Sequence, residues 1–178
     1  MAKKIPVLAA LVVAGSLVLA PAASAQDKQT RGCGSISGNT FKLTCNRLGS
    51  AGDDRAELRY PNYSSGTHTF EARVSVNGGS GISLVQTFRG DAWFMLAAGG
   101  GQVYVVHDSS KRRSVDLRGG FQVKTVHRVG GAHVTYINGS ELHRLNGPQG
   151  SYYHKHGAYA TDSGRGPTTV VFSNVRYS

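Results

Sequence analysis

The chain has 178 residues, 20 lysines and arginines against 10 aspartates and glutamates, a formal charge of +10, and 24 glycines but only two cysteines. The positive excess is scattered, from Arg47, Arg55, Arg59 and Arg73 through Lys111, Arg112, Arg113 and Lys124 to Lys155 and Arg165, which excludes a basic nucleic-acid-binding tail. One cysteine pair without a CxxC spacing excludes a zinc site built on cysteine alone.

In chain order, residues 1–25 read as a secretory signal peptide. Lys3 and Lys4 give a positive start, residues 5–20 are almost wholly apolar, and Ala23-Ser24-Ala25 offers a cleavage site before Gln26. The apolar run is short for a bilayer span. Cleavage leaves 153 residues with a charge of +8, enough for one domain over 26–178. The product is expected to be secreted, extracellular, monomeric and free of the membrane. Its distributed positive field concentrates polyanions, and the same charge also reads as plain solubilisation. Residues 26–32 are polar and read as a loose lead-in. Cys33 and Cys45 are expected to pair as a disulfide that clips the first hairpin.

Helix signals are nearly absent beyond this point. Short alternating runs rich in Val, Thr, Tyr and Phe predict strands at 40–46, 56–60, 68–76, 83–88, 92–97, 102–107, 114–117, 121–128, 133–137, 141–145, 151–160 and 168–176. Glycine pairs and Asn138-Gly139 supply the turns between them. The two Asn-x-Ser sequons, at Asn62 and Asn138, matter only in a glycosylating host, and Asn138 is better explained by its hairpin. So many short strands imply an all-β fold, two packed antiparallel sheets as in a jelly roll.

Three strands place polar groups on one face. In RAELR, Arg55, Glu57 and Arg59 point one way and Ala56 and Leu58 the other. Two guanidiniums flanking a carboxylate suit planar anions, each fork meeting a carboxylate in bidentate fashion. A cross-strand surface ion pair is the plainer reading of that segment. In VQTF, Gln86 offers a neutral amide to a substrate carboxyl, or simply caps an edge strand. In YHKHGAY, Tyr153, Lys155, Gly157 and Tyr159 share a face, with Gly157 leaving room between a cation and a phenol. Cations beside Tyr159 would favour its phenolate, making it a base for a proton α to a carboxyl group and an acid for the leaving oxygen. Packing tyrosines remain the alternative. By alternation His154 and His156 face away from Tyr159, and His107 ends a neighbouring strand. His68, His127, His133 and His143 lack ligand-like spacing. The usual hydrolase, nucleotide and zinc-protease motifs are missing, as is a spaced carboxylate pair for a glycosidase.

Together, in this order, the three segments resemble the alginate-lyase family, polysaccharide lyase family seven. RAELR is similar to that family's R-(T/S)-E-(L/V)-R strand, VQTF stands at its Q-(I/V)-H strand, and YYHKHGAY resembles its Y-F-K-x-G-x-Y strand. THTFEARVSV, AHVTYINGSEL and TTVVFSNVRYS extend the likeness, so it covers roughly residues 55–178. The resemblance implies a concanavalin-like β-jelly roll with a cleft across its concave sheet, an acidic polysaccharide as partner, and no metal or other cofactor. It implies Tyr159, Gln86 and Arg59 as catalytic groups, with Gln86 and an arginine neutralising the uronate carboxyl. It also implies Arg55, Glu57, Lys155 and Tyr153 as substrate-binding groups. The family's histidine in the second motif falls at Phe88, which accepts no proton. Two expectations follow: a secreted lyase cleaving a polyuronate such as alginate or glucuronan by β-elimination, with Tyr159 serving syn elimination alone, or a non-catalytic acidic-glycan or cell-surface binding protein on the same scaffold.

Overall fold

The structure is a computed structural model that describes residues 27–48 and 54–178; residues 1–25, expected to be a signal peptide, lie outside the described residues. Fourteen strands follow one another: β1 Asp27–Arg31, β2 Gly34–Ser37, β3 Thr40–Leu43, β4 Arg55–Arg59, β5 Thr67–Asn77, β6 Ser80–Arg89, β7 Asp91–Gly99, β8 Gln102–Val105, β9 Asp108–Ser114, β10 Phe121–Arg128, β11 Ala132–Ile137, β12 Ser140–Asn146, β13 Tyr153–Arg165 and β14 Thr168–Tyr177. They form two antiparallel seven-stranded sheets, ordered β1-β4-β13-β6-β7-β8-β9 and β12-β11-β10-β5-β14-β3-β2. This is the expected jelly-roll sandwich.

Alternation produces the layers. In β10, Phe121, Val123, Thr125 and His127 are buried while Gln122 and Arg128 face water. In β14, Thr168, Val170 and Phe172 are buried. The inward residues of both sheets meet in one core that includes Phe41, Phe70, Val74, Val85, Leu96, Phe121, Val170 and Phe172. Enclosing such side chains supplies most of the folding free energy, at roughly 25 cal/mol per Å² of apolar surface. The β11–β12 turn needs left-handed backbone, and Asn138 and Gly139 supply it with φ of 50° and 79°. Cys33 and Cys45 are bonded, their Cα atoms 5.8 Å apart, closing the β2–β3 hairpin. Their sulfurs lie with the Asp54 carboxylate in a cluster of potential metal ligands. The sulfurs are spent in the disulfide and Asp54 Oδ1 accepts the Cys33 N–H at 2.8 Å.

Two expectations fail. The polar lead-in is not loose: Asp27–Arg31 pairs along its length with β4, from Asp27↔Arg59 to Arg31↔Arg55. An edge strand solvated on both faces has no apolar alternation to betray it. The strand expected at 114–117 lies earlier, at Asp108–Ser114, where Arg113 donates hydrogen bonds to the carbonyls of Ile137, Ser140 and Glu141. Val115 and Leu117, whose alternation gave the signal, pack on the core from irregular backbone instead.

Candidate functional site

The outward face of the first sheet is hollow rather than flat. Glu57 on β4, Lys155 on β13, Gln86 and Ser83 on β6, and Ala97 on β7 all sit on that face, yet none is more than 4% exposed. Register brings the residues singled out in the sequence together. Lys155 lies opposite Arg59 on one side and Gln86 on the other, and Tyr159 lies opposite Arg55 and Ser83. Arg55, Arg59, Tyr153 and Tyr159 are half-buried around the enclosed floor.

Two irregularities build the floor. Ser83 and Gln86 are three residues apart, so strict alternation would put them on opposite faces. A register shift between Ser83 and Val85 against β7 absorbs one residue and returns both to the hollow, where Gln86 Nε2 donates to Ser83 Oγ at 3.1 Å. β13 shifts likewise between His156 and Tyr159. Gly157 serves this geometry in another way than leaving room in the hollow. Its φ is +150°, and a Cβ there would sit 2.3 Å from the Ala56 carbonyl oxygen of β4.

Charge on the floor is paired internally. Lys155 Nζ lies 3.4 Å from Glu57 Oε2, and Gln86 Nε2 donates to Glu57 Oε1 at 2.9 Å. Burial pushes the Glu57 carboxyl up, and Lys155 with Arg55 pulls it back. Burial lowers the Lys155 ammonium, which Glu57 opposes. Both amide hydrogens of Gln86 are therefore committed to Glu57 and Ser83, so Gln86 engages a substrate carboxyl only by releasing one of them. Removing one member of a buried ion pair strands the other charge, at a cost of about 3–5 kcal/mol. Glu57→Ala is expected to lower the unfolding free energy from denaturant titration by that amount, and Lys155→Met in the same background to restore much of it.

The rim is aromatic and cationic. Phe88 and Tyr153 stack with centroids 4.9 Å apart and planes 4° from parallel. The Arg59 guanidinium lies 4.2 Å from the Tyr153 centroid, and Lys155 Nζ lies 4.8 Å from that of Phe88. Arg59 also donates to Asn62 Oδ1 and lies 3.6 Å from Asp27 Oδ2. Burial raises the Tyr153 phenol, which Arg59 counteracts. The Arg55 guanidinium carbon is 5.5 Å from the Tyr159 ring centroid. Beyond Tyr159 opens a groove of about 240 Å³ lined by Met95, Val106, His107, Tyr159, Thr161, Asp162 and Ser163. A second depression, about 230 Å³, lies further along, between Tyr104 and Arg112. Sequence reasoning missed Ser83, Met95 and Ala97 because bulges and apolar character hid them. A larger depression, about 360 Å³, lies on the other sheet, where Lys124 is paired with Glu71 at 3.9 Å and none of the three motif strands contributes a residue.

Four histidines, His127, His133, His154 and His156, are enclosed between the sheets. Tyr63 and Thr87 hydroxyls contact His127 Nδ1 at 2.9 Å and His133 Nε2 at 3.1 Å. Among the described residues, neither ring nitrogen of His156 has a hydrogen-bond partner, nor has Nε2 of His127 or His154. His156 instead packs its ring 4.7 Å from Phe172 and 5.4 Å from Phe41. Desolvation holds all four well below the ordinary imidazole range, His127 at about 4 and His133 and His156 at about 3. The signal was present in the sequence: His127 continues the inward alternation of Phe121, Val123 and Thr125.

No protein-family model matches the chain, and no curated protein does. Solved structures share its fold. An alginate lyase of polysaccharide lyase family 7 is 22% identical, with 79% of this chain and 78% of that one aligned at a TM-score of 0.64. The alginate lyase from Corynebacterium sp. is 22% identical over 84% of this chain and 82% of its own, with a TM-score of 0.65. An alginate lyase solved with dimannuronate is 12% identical over 78% and 73%, with a TM-score of 0.53.

Proposed function

We propose that the chain is a secreted polysaccharide lyase that cleaves an acidic, uronate-containing polysaccharide, such as alginate or glucuronan, by β-elimination. The supporting observation is the hollow itself: Tyr159 stands opposite Arg55, four residues along β13 from Lys155 of the Glu57–Lys155–Gln86 floor, with Arg59 on the rim. Elimination needs three services in one place. Cations must take up the charge that moves onto the uronate carboxylate as its α-proton leaves, and Arg59 and Arg55 flank that position. A group must remove the C5 proton, and another must protonate the departing C4 oxygen. The Tyr159 side chain does both where the two lie on the same face of the sugar: its phenolate takes the C5 proton and the phenol so formed gives a proton to the C4 oxygen. Gln86 fixes Glu57, and Glu57 fixes Lys155, so the floor keeps its shape as substrate enters. Tyr153 and Phe88 offer a flat apolar wall to a sugar ring. Export by the 1–25 signal and the Cys33–Cys45 disulfide suit an extracellular monomer acting on a polymer outside the cell.

The test is incubation of the chain from Gln26 with polymannuronate, polyguluronate and glucuronan, following the ultraviolet absorbance of unsaturated ends. New absorbance on any of them supports the reading. Retention of polymer without absorbance would instead identify a binding protein on this scaffold. Arg59→Ala is expected to weaken retention at least tenfold, since a charge-assisted hydrogen bond contributes about 1.5–3 kcal/mol.

A further inference from the structure

The hollow contains one imidazole, and it comes from a place the motifs do not mark. Of the chain's seven histidines, His127, His133, His154 and His156 are enclosed between the sheets. His68 stacks on Tyr63 at 3.9 Å, and His143 lies 5.9 Å from Phe94 on the inward side of β12. His107 alone is exposed, and it lines the 240 Å³ groove together with Tyr159. Its position is set by backbone. Val106 and His107 form the two-residue turn between β8 and β9, spanned by the Val105↔Asp108 pair, and Val106 N–H donates to the Met95 carbonyl at 3.0 Å. The hairpin tip is thus held against β7, two strands from Tyr159, with Met95 as the groove floor between them. At the other end, Phe88 is stacked on Tyr153 and has no group to exchange a proton.

We propose that His107 is the proton acceptor for uronates whose C5 hydrogen and C4 oxygen lie on opposite faces of the ring. The assignment rests on the lyase reading above and deepens it to a substrate class. A single phenol reaches one face of a bound sugar. An anti substrate needs a base on one wall and an acid on the other, and His107 and Tyr159 border one groove from different strands. In the step, a neutral ring nitrogen of His107 takes the C5 proton. The C5–H pair forms the C4=C5 bond, the C4–O bond breaks with its pair on oxygen, and the Tyr159 phenol protonates that oxygen. The resulting imidazolium and phenolate return to their starting forms by proton exchange with water. The acidic residue that shares the groove with His107 is Asp162 on β13, whereas the Asp108 carboxylate, next in the chain, accepts from Ser110 and faces Lys111 and His143. The Asp162 carboxylate suits an imidazolium formed in the step.

Polyguluronate presents the anti arrangement and polymannuronate the syn one, so the two polymers test the assignment against each other. In His107→Ala, the ratio of the polyguluronate rate to the polymannuronate rate is expected to fall about 100-fold, the usual scale for loss of a general base. Free imidazole is expected to restore part of the polyguluronate rate to His107→Gly, which a merely structural role would not allow. An unchanged ratio in His107→Ala overturns the assignment and leaves the lyase reading standing. So does a parent protein that cleaves only polymannuronate. Absence of unsaturated ends on polyguluronate overturns the assignment alone, and absence on polymannuronate, polyguluronate and glucuronan alike overturns both.

Discussion

Tyr159→Phe is expected to reduce elimination by about 1,000-fold on every polymer the parent protein cleaves, while polymer retention stays within twofold. The substitution removes only the phenolic hydroxyl. The ring that lies 5.5 Å from the Arg55 guanidinium remains, as do the Glu57–Lys155–Gln86 floor and the cationic rim. Binding and chemistry should therefore separate cleanly in this one variant. Initial rates of ultraviolet absorbance, set beside retardation of the protein in polymer-containing gels, make the comparison. A Tyr159→Phe protein that cleaves at the parent rate would move acid catalysis to another group and remove the main support for the hollow as a reaction site.

The second large effect concerns stability. Unfolding in acid is expected to be steep, because the interior histidines must stay neutral while the sheets remain together. His133, His154 and His156 are held far below the ordinary imidazole value of 6.5 by desolvation. A depressed pKa in the folded state means that the unfolded chain binds more protons below about pH 6.5. Stability is thus level above that pH and falls as pH drops through the window from 6.5 towards 3. Each enclosed imidazole contributes about 1.4 kcal/mol per pH unit, so the three together give about 4 kcal/mol per unit. His127, held at about 4, adds the same slope down to about pH 4 and none below it. Since a domain of this size is stable by only about 5–15 kcal/mol, unfolding should be complete within a few units below neutrality. Urea titrations between pH 4.5 and 8 would show it. His156→Leu should flatten the slope by about one histidine's worth and raise stability at pH 5, since neither ring nitrogen of His156 has a partner to lose. A stability that does not change between pH 7 and 5 would contradict this account.

Local chemistry alone determined much of this protein. Period-two alternation and turn residues located most strands, because each strand must choose an inward face whatever its neighbours are. β10 was read residue for residue, and the parity of Tyr153, Lys155 and Tyr159 against His154 and His156 followed from the pleat. Pairing decided the rest. Asp27–Arg31 has no buried face to announce it and becomes a strand only because β4 offers an unpaired edge. Ser83 and Gln86 share the hollow through a bulge, which reverses the parity any spacing argument relies on. The sequence suggested an exposed Glu57 and an available Gln86. Enclosure of the hollow instead ties Glu57, Gln86 and Lys155 to one another, since buried polar groups must find partners within the protein. His107 shares the groove with Tyr159 only because β13 pairs with β6 and so joins the β6-β7-β8 run in one sheet, a contact between segments far apart in the chain. Side-chain direction is a property of the strand; which side chains meet across a sheet is a property of its order and register.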